Sequence, residues 1–146
     1  MKFLKMKKLI ALFIAIITIA ACSKDSGRRN RNPNIPSYSF NVELNLNLPL
    51  YSDLKYVNQA KMINLSGAGL NGIIVFNTDG NNFNAFEATC PNQIPTTCSK
   101  LTIDGIYAVC PCDNVKYSLF DGYGEAEYPM LSYRVERIGD ILKISN

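Results

Sequence analysis

The stretch Phe40-Asn-Val-Glu-Leu-Asn-Leu-Asn-Leu48 alternates apolar and polar side chains throughout its length. Successive side chains of a β-strand point to opposite faces, so a strand here would present one apolar face and one polar face. Pro49 follows directly and cannot donate to a ladder of backbone hydrogen bonds. The stretch therefore predicts a half-buried strand that ends before Pro49.

Further runs of strand length follow, separated by turn sequences rich in Gly, Asn and Asp. They are Lys61–Leu65, Gly72–Asn77, Phe83–Thr89, Ile106–Val109, Lys116–Phe120, Ser132–Arg137 and Ile141–Ile144. Only Tyr51–Asn58 is suited to a short helix. Eight or so short strands in ~110 residues predict an all-β sandwich or barrel.

The last two runs predict a β-hairpin that turns at Gly139-Asp140. The side chains expected on or near its buried side are Tyr133, Val135, Ile138, Ile141 and Ile144.

The composition excludes several classes of function. The chain has 146 residues, with 15 Lys and Arg, 12 Asp and Glu, and no His. Without His there is no Ser-His-Asp triad, no Cys-His nucleophile pair and no His-ligated zinc or haem, so we expect no enzyme. From Ile35 onward the charge is 7 − 11 = −4. An acidic domain gives no electrostatic reason to expect nucleic-acid binding.

Residues 1–21 have the features of a secretory signal peptide. Lysines precede an uninterrupted apolar run of about 14 residues, which is shorter than the ~20 that a membrane-spanning helix needs. Ile19-Ala20-Ala21-Cys22 resembles the lipobox of bacterial lipoproteins. The resemblance implies cleavage before Cys22 and a diacylglycerol on its sulfur, which would make the lipid bilayer a partner.

Residues 22–37 form a polar segment with two prolines, which predicts a flexible tether ahead of a domain at 38–146. Ser23 directly after Cys22 is similar to the pattern of lipoproteins exported to an outer membrane. We therefore expect an extracytoplasmic protein anchored to the outer rather than the inner membrane of a Gram-negative bacterium. The alternative is an ordinary signal peptide in which Cys22 is incidental.

The other four cysteines lie in two short segments. Box one, Cys90 to Cys98, is Cys-Pro-Asn-Gln-Ile-Pro-Thr-Thr-Cys, and box two, Cys110 to Val115, is Cys-Pro-Cys-Asp-Asn-Val. In an oxidising compartment four cysteines predict disulfides, and three pairings are possible. A Cys110–Cys112 bond is sterically poor, because one intervening residue does not easily provide the required dihedral angle.

The two boxes and their flanks resemble a known family. The segments Phe83-x-Ala-Phe-Glu-Ala-Thr-Cys-Pro91, Cys110-Pro-Cys112 and Tyr117-x-Leu-Phe-Asp-Gly122 are similar to the Rieske iron–sulfur domain, and most similar to small Rieske-type [2Fe–2S] lipoproteins of Bacteroidetes-like bacteria. Residues 124–129 stand where that family has a loop that covers the cluster. The resemblance spans most of residues 40–146. It implies stacked antiparallel sheets with a cluster between two loops at one end.

The resemblance fails at the ligands. The family binds its cluster through Cys-x-His and Cys-x-x-His, with two Cys on one iron and two His on the other. Cys90 and Cys110 fill the cysteine positions, but Asn92 and Asp113 stand at the histidine positions. An amide oxygen is a poor donor to ferric iron, and a carboxylate adds negative charge. We therefore expect no cofactor, with these four positions as vestiges of the cluster site.

The resemblance also implies a pairing of the cysteines. In some family members a later cysteine of box one bonds to the second cysteine of Cys-Pro-Cys, and Cys98 and Cys112 stand in those places. Two thiolates on one tetrahedral metal lie about 3.8 Å apart, and without the metal a small loop shift brings them to the ~2.05 Å of a disulfide. We therefore predict the disulfides Cys98–Cys112 and Cys90–Cys110.

The leading hypothesis is a membrane-anchored Rieske-like domain that has lost its cluster and acts as a binding or structural module. One alternative is an electron-transfer protein with an atypical [2Fe–2S] centre on Cys90, Asp113 and Cys110. Others are a thiol–disulfide redox protein that uses Cys90–Cys110, and a zinc site on all four sulfurs, which the close spacing of Cys110 and Cys112 disfavours. A last group could bind a cation or form a solvated rim: Asp113, Asp121, Glu125 and Glu127.

Overall fold

The computed structural model describes residues 32–146. Its strands are β1 (Asn41–Asn45), β2 (Ala60–Ile63), β3 (Ile73–Asn77), β4 (Phe83–Glu87), β5 (Thr102–Asp104), β6 (Tyr107–Val109), β7 (Lys116–Ser118), β8 (Ser132–Ile138) and β9 (Ile141–Ser145). The predicted signal peptide, Cys22 and most of the predicted tether lie outside the described residues. Within residues 32–146, no helix has the length and hydropathy needed to cross a membrane.

Two antiparallel sheets build the domain. One has six strands in the order β1-β9-β8-β4-β3-β2, and the other has three in the order β5-β6-β7. The predicted all-β class with antiparallel sheets is confirmed.

β3 lies inside the six-stranded sheet and is buried on both faces. Ile73 and Val75 belong to a first core on one face, and Ile74 and Phe76 belong to a second core on the other. Strands buried on both faces have continuous apolar runs rather than alternation, and β3 has this pattern. The second core lies between the two sheets, and it includes Leu101, Ala108, Tyr117, Leu119, Cys90 and Cys110.

The predicted hairpin at Gly139-Asp140 forms, with Ile138 paired to Ile141 across the turn. Gly139 has a φ of 61°, which glycine adopts without strain. Tyr133 is buried and Val135 packs against the first core, but Ile138 is 51% exposed. The predicted burial of Ile138 is therefore wrong. Residues 133 and 135 occupy one face of β8, so residue 138 points to the other.

Other predicted elements also differ from the observed ones. β1 ends at Asn45 rather than Leu48, because the Asn45 side-chain oxygen accepts a hydrogen bond from the Asn47 N–H (2.9 Å) and starts a turn. The helix predicted over Tyr51–Asn58 is a single 3-10 turn, Ser52–Lys55. β5 was not predicted, since three residues are too few to establish a period.

A buried carboxylate joins the β2–β3 loop to the sheet. Glu87 in β4 is fully buried. It accepts hydrogen bonds from the N–H groups of Leu70 (2.8 Å) and Asn71 (3.1 Å) and from the hydroxyls of Thr89 (2.6 Å) and Tyr133 (2.6 Å). Burial raises the pKa of Tyr133 far above its usual value, and Glu87 raises it further, so the hydroxyl remains a donor.

The packed chain begins before the predicted domain boundary at residue 38. Ile35 is buried in the first core. The side-chain amides of Asn32 and Asn34 donate to the Pro91 carbonyl at 2.7 and 2.9 Å. The end of the segment predicted as tether therefore lies against box one.

Candidate functional site

Box one and box two meet at one end of the second core. Cys90 follows β4 and Cys110 follows β6, and both are buried. The Cys90 N–H donates to the Ser99 carbonyl (2.7 Å), and the Cys110 N–H donates to the Val115 carbonyl (2.9 Å). These bonds close each box into a compact loop.

Two disulfides join the boxes, and they are the two pairs predicted from the sequence. The inner disulfide links Cys90 to Cys110, with Cα atoms 5.5 Å apart. The outer disulfide links Cys98 to Cys112, with Cα atoms 5.3 Å apart. The two cysteines that stand at the family's ligand positions, Cys90 and Cys110, are therefore bonded to each other.

Asn92 ties box one to the covering loop, residues 124–129. Its Nδ2 donates to the Tyr128 carbonyl (2.8 Å) and to the Tyr117 hydroxyl (2.9 Å). Its Oδ1, the atom that a metal would need, accepts from the Tyr128 N–H (2.8 Å). The side chain at the first histidine position therefore holds loops together.

Gly124 lets the covering loop lie directly on Tyr117, with which it forms a β-bridge. A Cβ at position 124 would lie 2.5 Å from the Lys116 carbonyl oxygen and 2.8 Å from Tyr117 Cδ1, so only glycine allows this approach. Burial raises the pKa of Tyr117, the hydrogen bond from Asn92 opposes this, and the charge of Asp113 adds to it. The Tyr117 hydroxyl therefore stays neutral beneath the loop.

Asp113, at the second histidine position, is exposed and closes the turn of box two. Its Oδ1 accepts from the Val115 N–H (3.0 Å), an Asx-turn. Asn114 has a φ of 62°, which asparagine tolerates better than most residues, and its N–H donates to the Cys110 carbonyl (2.8 Å). Hydrogen bonds within box two thus fix the conformation of its loop.

These residues do not fit a Rieske cluster. Such a cluster needs two thiolates on one iron and two imidazole nitrogens on the other. Here Cys90 and Cys110 are bonded to each other, the Asn92 oxygen is held by a backbone N–H, and Asp113 closes a turn. All four positions serve internal bonds in this arrangement.

Three of the sulfurs form a close group. The Sγ atoms of Cys90, Cys110 and Cys112 all lie within 4.8 Å of one another. Over residues 32–146, this is the one group of three or more potential metal ligands so close together. The group therefore contains one sulfur of the outer disulfide, that of Cys112, and both sulfurs of the inner disulfide.

Polar side chains of box one, and Ser99 directly after it, lie close to the disulfide sulfurs, and no sequence motif marks them. Gln93 Nε2 donates to Cys110 Sγ (3.8 Å). Thr96 Oγ1 lies 3.3 Å from Cys98 Sγ, and Ser99 Oγ lies 3.9 Å from Cys112 Sγ. A disulfide sulfur carries no hydrogen, so a hydroxyl that bonds it must be the donor.

An open groove of about 690 Å³ runs between box two and the covering loop. Tyr107, Lys116 and Tyr123 line it, together with Asp113 and Glu125. The two tyrosines are 40% and 65% exposed. The groove therefore offers aromatic rings and both signs of charge to a ligand.

The four acidic residues predicted to form either a cation site or a solvated rim do not converge in the described structure. Asp113 and Glu125 line the groove, but the Asp121 Oδ1 accepts from the Tyr123 N–H (3.0 Å). Glu127 raises the pKa of the neighbouring Tyr128 hydroxyl, first as a hydrogen-bond acceptor and then through its charge. This placement favours the solvated rim.

Comparison with known proteins gives matches only among solved structures. No protein-family model and no curated protein matches the chain. The quaternary ammonium Rieske monooxygenase CntA matches with a TM-score of 0.50 and 16% identity, over 74% of this chain and 31% of the oxygenase. This identity shows the fold alone. The fold is Rieske-like.

Two smaller proteins are similar to this Rieske-like domain. The ferredoxin of carbazole 1,9a-dioxygenase from Nocardioides aromaticivorans IC177 matches with a TM-score of 0.47 and 14% identity, over 74% of this chain and 97% of the ferredoxin. A chain from the complex of reduced oxygenase and oxidised ferredoxin in carbazole 1,9a-dioxygenase matches with a TM-score of 0.47 and 23% identity, over 64% and 85% of the two chains.

Proposed function

We propose that this chain is a Rieske-like domain that has lost its iron–sulfur cluster and acts as an extracytoplasmic binding or structural module. The inner disulfide carries the proposal, because the two cysteines that match the family's thiolate ligands are bonded to each other. Asn92, in place of a histidine, fastens the covering loop. The disulfides and this amide supply the links between loops that a cluster would otherwise supply.

We propose that an acylated Cys22 anchors the protein to the outer membrane. The lipobox-like sequence supports this anchor, and disulfides are typical of extracytoplasmic compartments. Cys22→Ser is expected to move the protein from the membrane fraction to the soluble periplasmic fraction. Wild-type protein that fractionates as soluble would contradict the anchor.

The groove beside box two is the surface that we propose for binding. Its exposed tyrosine rings and mixed charges suit a polar or aromatic ligand better than an apolar one. The net charge of −4 from Ile35 onward disfavours nucleic acid. Because the chain has no His to serve as a base for a nucleophile, we propose a binding role rather than an enzymatic one.

The alternative is an electron-transfer protein with an atypical [2Fe–2S] centre. The Rieske-like fold and the group of three sulfurs within 4.8 Å favour it. This alternative requires the inner disulfide to be open and Asp113 to leave its turn.

Thiol titration with metal analysis tests these proposals on protein purified without reductant or chelator. We expect no reactive thiol at Cys90, Cys98, Cys110 or Cys112 after denaturation, and no stoichiometric iron or zinc. Reduction under denaturing conditions is the positive control and should expose all four thiols. Free thiols accompanied by iron and acid-labile sulfide would instead support electron transfer, and stoichiometric zinc would support a zinc site.

A further inference from the structure

We infer that the two disulfides form an exchange pair, in which an external dithiol reduces the outer disulfide and Cys112 passes the electrons to the inner one. This activity goes beyond the proposed binding role. It rests on the disulfide-bonded state of box one and box two and is independent of the lipid anchor.

Access to solvent differs sharply between the two bonds. Both sulfurs of the inner disulfide belong to cysteines that are at most 1% exposed, whereas Cys98 is exposed and Cys112 is partly exposed. Thiol–disulfide exchange requires a thiolate to reach the sulfur that it attacks. An external thiolate therefore reaches Cys98 and is excluded from Cys90 and Cys110.

The third sulfur of the close group connects the two bonds. Cys112 Sγ lies within 4.8 Å of both Cys90 Sγ and Cys110 Sγ, so its thiolate is near the inner disulfide as soon as the outer one opens. A new bond to Cys110 would join two cysteines separated by one residue, which is sterically poor. Cys112 is therefore expected to attack Cys90.

Polar side chains of box one, together with Ser99, favour this order of exchange. The hydroxyls of Thr96 and Ser99 lie 3.8 and 3.9 Å from Cys112 Sγ, where they can donate to a departing thiolate. The Gln93 amide already donates to Cys110 Sγ (3.8 Å), the second leaving sulfur. Each leaving group thus has a donor in place.

The electrons and atoms balance over three thiol–disulfide exchanges. A thiolate of the dithiol attacks Cys98 Sγ, forms a mixed disulfide and releases Cys112 as a thiolate. Cys112 attacks Cys90, which forms the Cys90–Cys112 bond and releases Cys110 as a thiolate. The second thiol of the reductant then displaces Cys98. The dithiol is oxidised to a disulfide, and its two protons pass through solvent to Cys98 and Cys110.

Partial reduction of the wild-type full chain tests the order directly. The protein is treated with limiting dithiothreitol under native conditions, quenched with an alkylating reagent and mapped by mass spectrometry of its peptides. We expect an intermediate with a Cys90–Cys112 bridge and with alkyl groups on Cys98 and Cys110. A mapped population in which the outer disulfide is reduced while Cys90–Cys110 stays intact throughout would overturn the proposal.

Two single variants provide a matched pair, because both lose the outer disulfide. Cys98→Ser leaves Cys112 as a thiol beside the inner disulfide, so alkylation should divide between Cys112 and Cys110 without added reductant. Cys112→Ser leaves only the exposed Cys98, and the label should remain there. The inner disulfide should be reduced at least about tenfold faster in Cys98→Ser than in Cys112→Ser. Equal rates, with the label of Cys98→Ser confined to Cys112, would contradict the exchange.

Discussion

Asn92 stands where the family resemblance places a histidine ligand, and its side chain links box one to the covering loop. Truncation would remove its hydrogen bonds to Tyr117 and Tyr128 and leave the Tyr128 N–H without this acceptor. We expect Asn92→Ala to lower the free energy of unfolding by about 2–3 kcal/mol, measured by urea denaturation. Ile94→Ala, in the same loop but 77% exposed, is the control and should change stability by less than about 0.5 kcal/mol. Equal losses in both variants would show that the Asn92 contacts are not stabilising.

The buried carboxylate of Glu87 leads to a second prediction at the residue scale, which concerns the stability of the fold. Its carboxylate accepts four hydrogen bonds, and an amide would turn an N–H₂ group toward two of those donors. We expect Glu87→Gln to destabilise the fold by about 2–4 kcal/mol in urea denaturation. The same substitution at exposed Glu43, which pairs with Lys143 at 3.1 Å, should cost less than about 1 kcal/mol. A smaller loss at Glu87 than at Glu43 would refute this assignment.

At the residue scale, the paired cysteines and the importance of Asn92 could be predicted from the sequence, but the hydrogen-bond partners of Asn92 and Glu87 could not. The pairing of Cys98 with Cys112 could be predicted from the family resemblance, and that of Cys90 with Cys110 from the short distance between two thiolates on one metal. The partners of Asn92 could not, because they lie 25 and 36 residues away and have no periodic or motif signal. Glu87 was also missed, since a carboxylate inside a strand gives no sign of burial until its four donors are placed.

The stability of the turn between β3 and β4 is expected to depend on pH through Asp79. Asp79 accepts from the Asn82 side chain (2.7 Å) and from the N–H groups of Asn82 (2.7 Å) and Asn81 (2.9 Å), which lowers its pKa. A lowered pKa stabilises the fold above the ordinary value near pH 4, and this contribution is lost as the pH falls through the folded-state value. We expect the melting-temperature difference between wild type and Asp79→Asn to shrink on acidification. A difference that is constant with pH would contradict this role.

At the element scale, period and turn chemistry predicted most strands. Alternation identified β1, and turn residues located the β8–β9 hairpin. The errors have physical causes. β5 is too short to show a period. The hydrophobicity of Ile138 favours the buried side, but its position in β8 points it outward.

At the scale of the whole molecule, residues 32–37 belong to the folded domain. Ile35 is buried, and the amides of Asn32 and Asn34 hold the Pro91 carbonyl of box one. We expect a chain that begins at residue 38 to be less stable than one that begins at residue 32 by about 2–4 kcal/mol in urea denaturation. Equal stabilities would mean that this segment packs without stabilising the fold.

The proposed loss of the cluster, which is argued from the inner disulfide and the amide of Asn92, requires the whole domain to fold without iron. Visible absorption and electron paramagnetic resonance of the protein, purified anaerobically without chelators and then reduced with dithionite, test this most directly. We predict a colourless protein with no paramagnetic signal. A brown protein with the resonance of a reduced [2Fe–2S] cluster would contradict the account and establish a redox carrier.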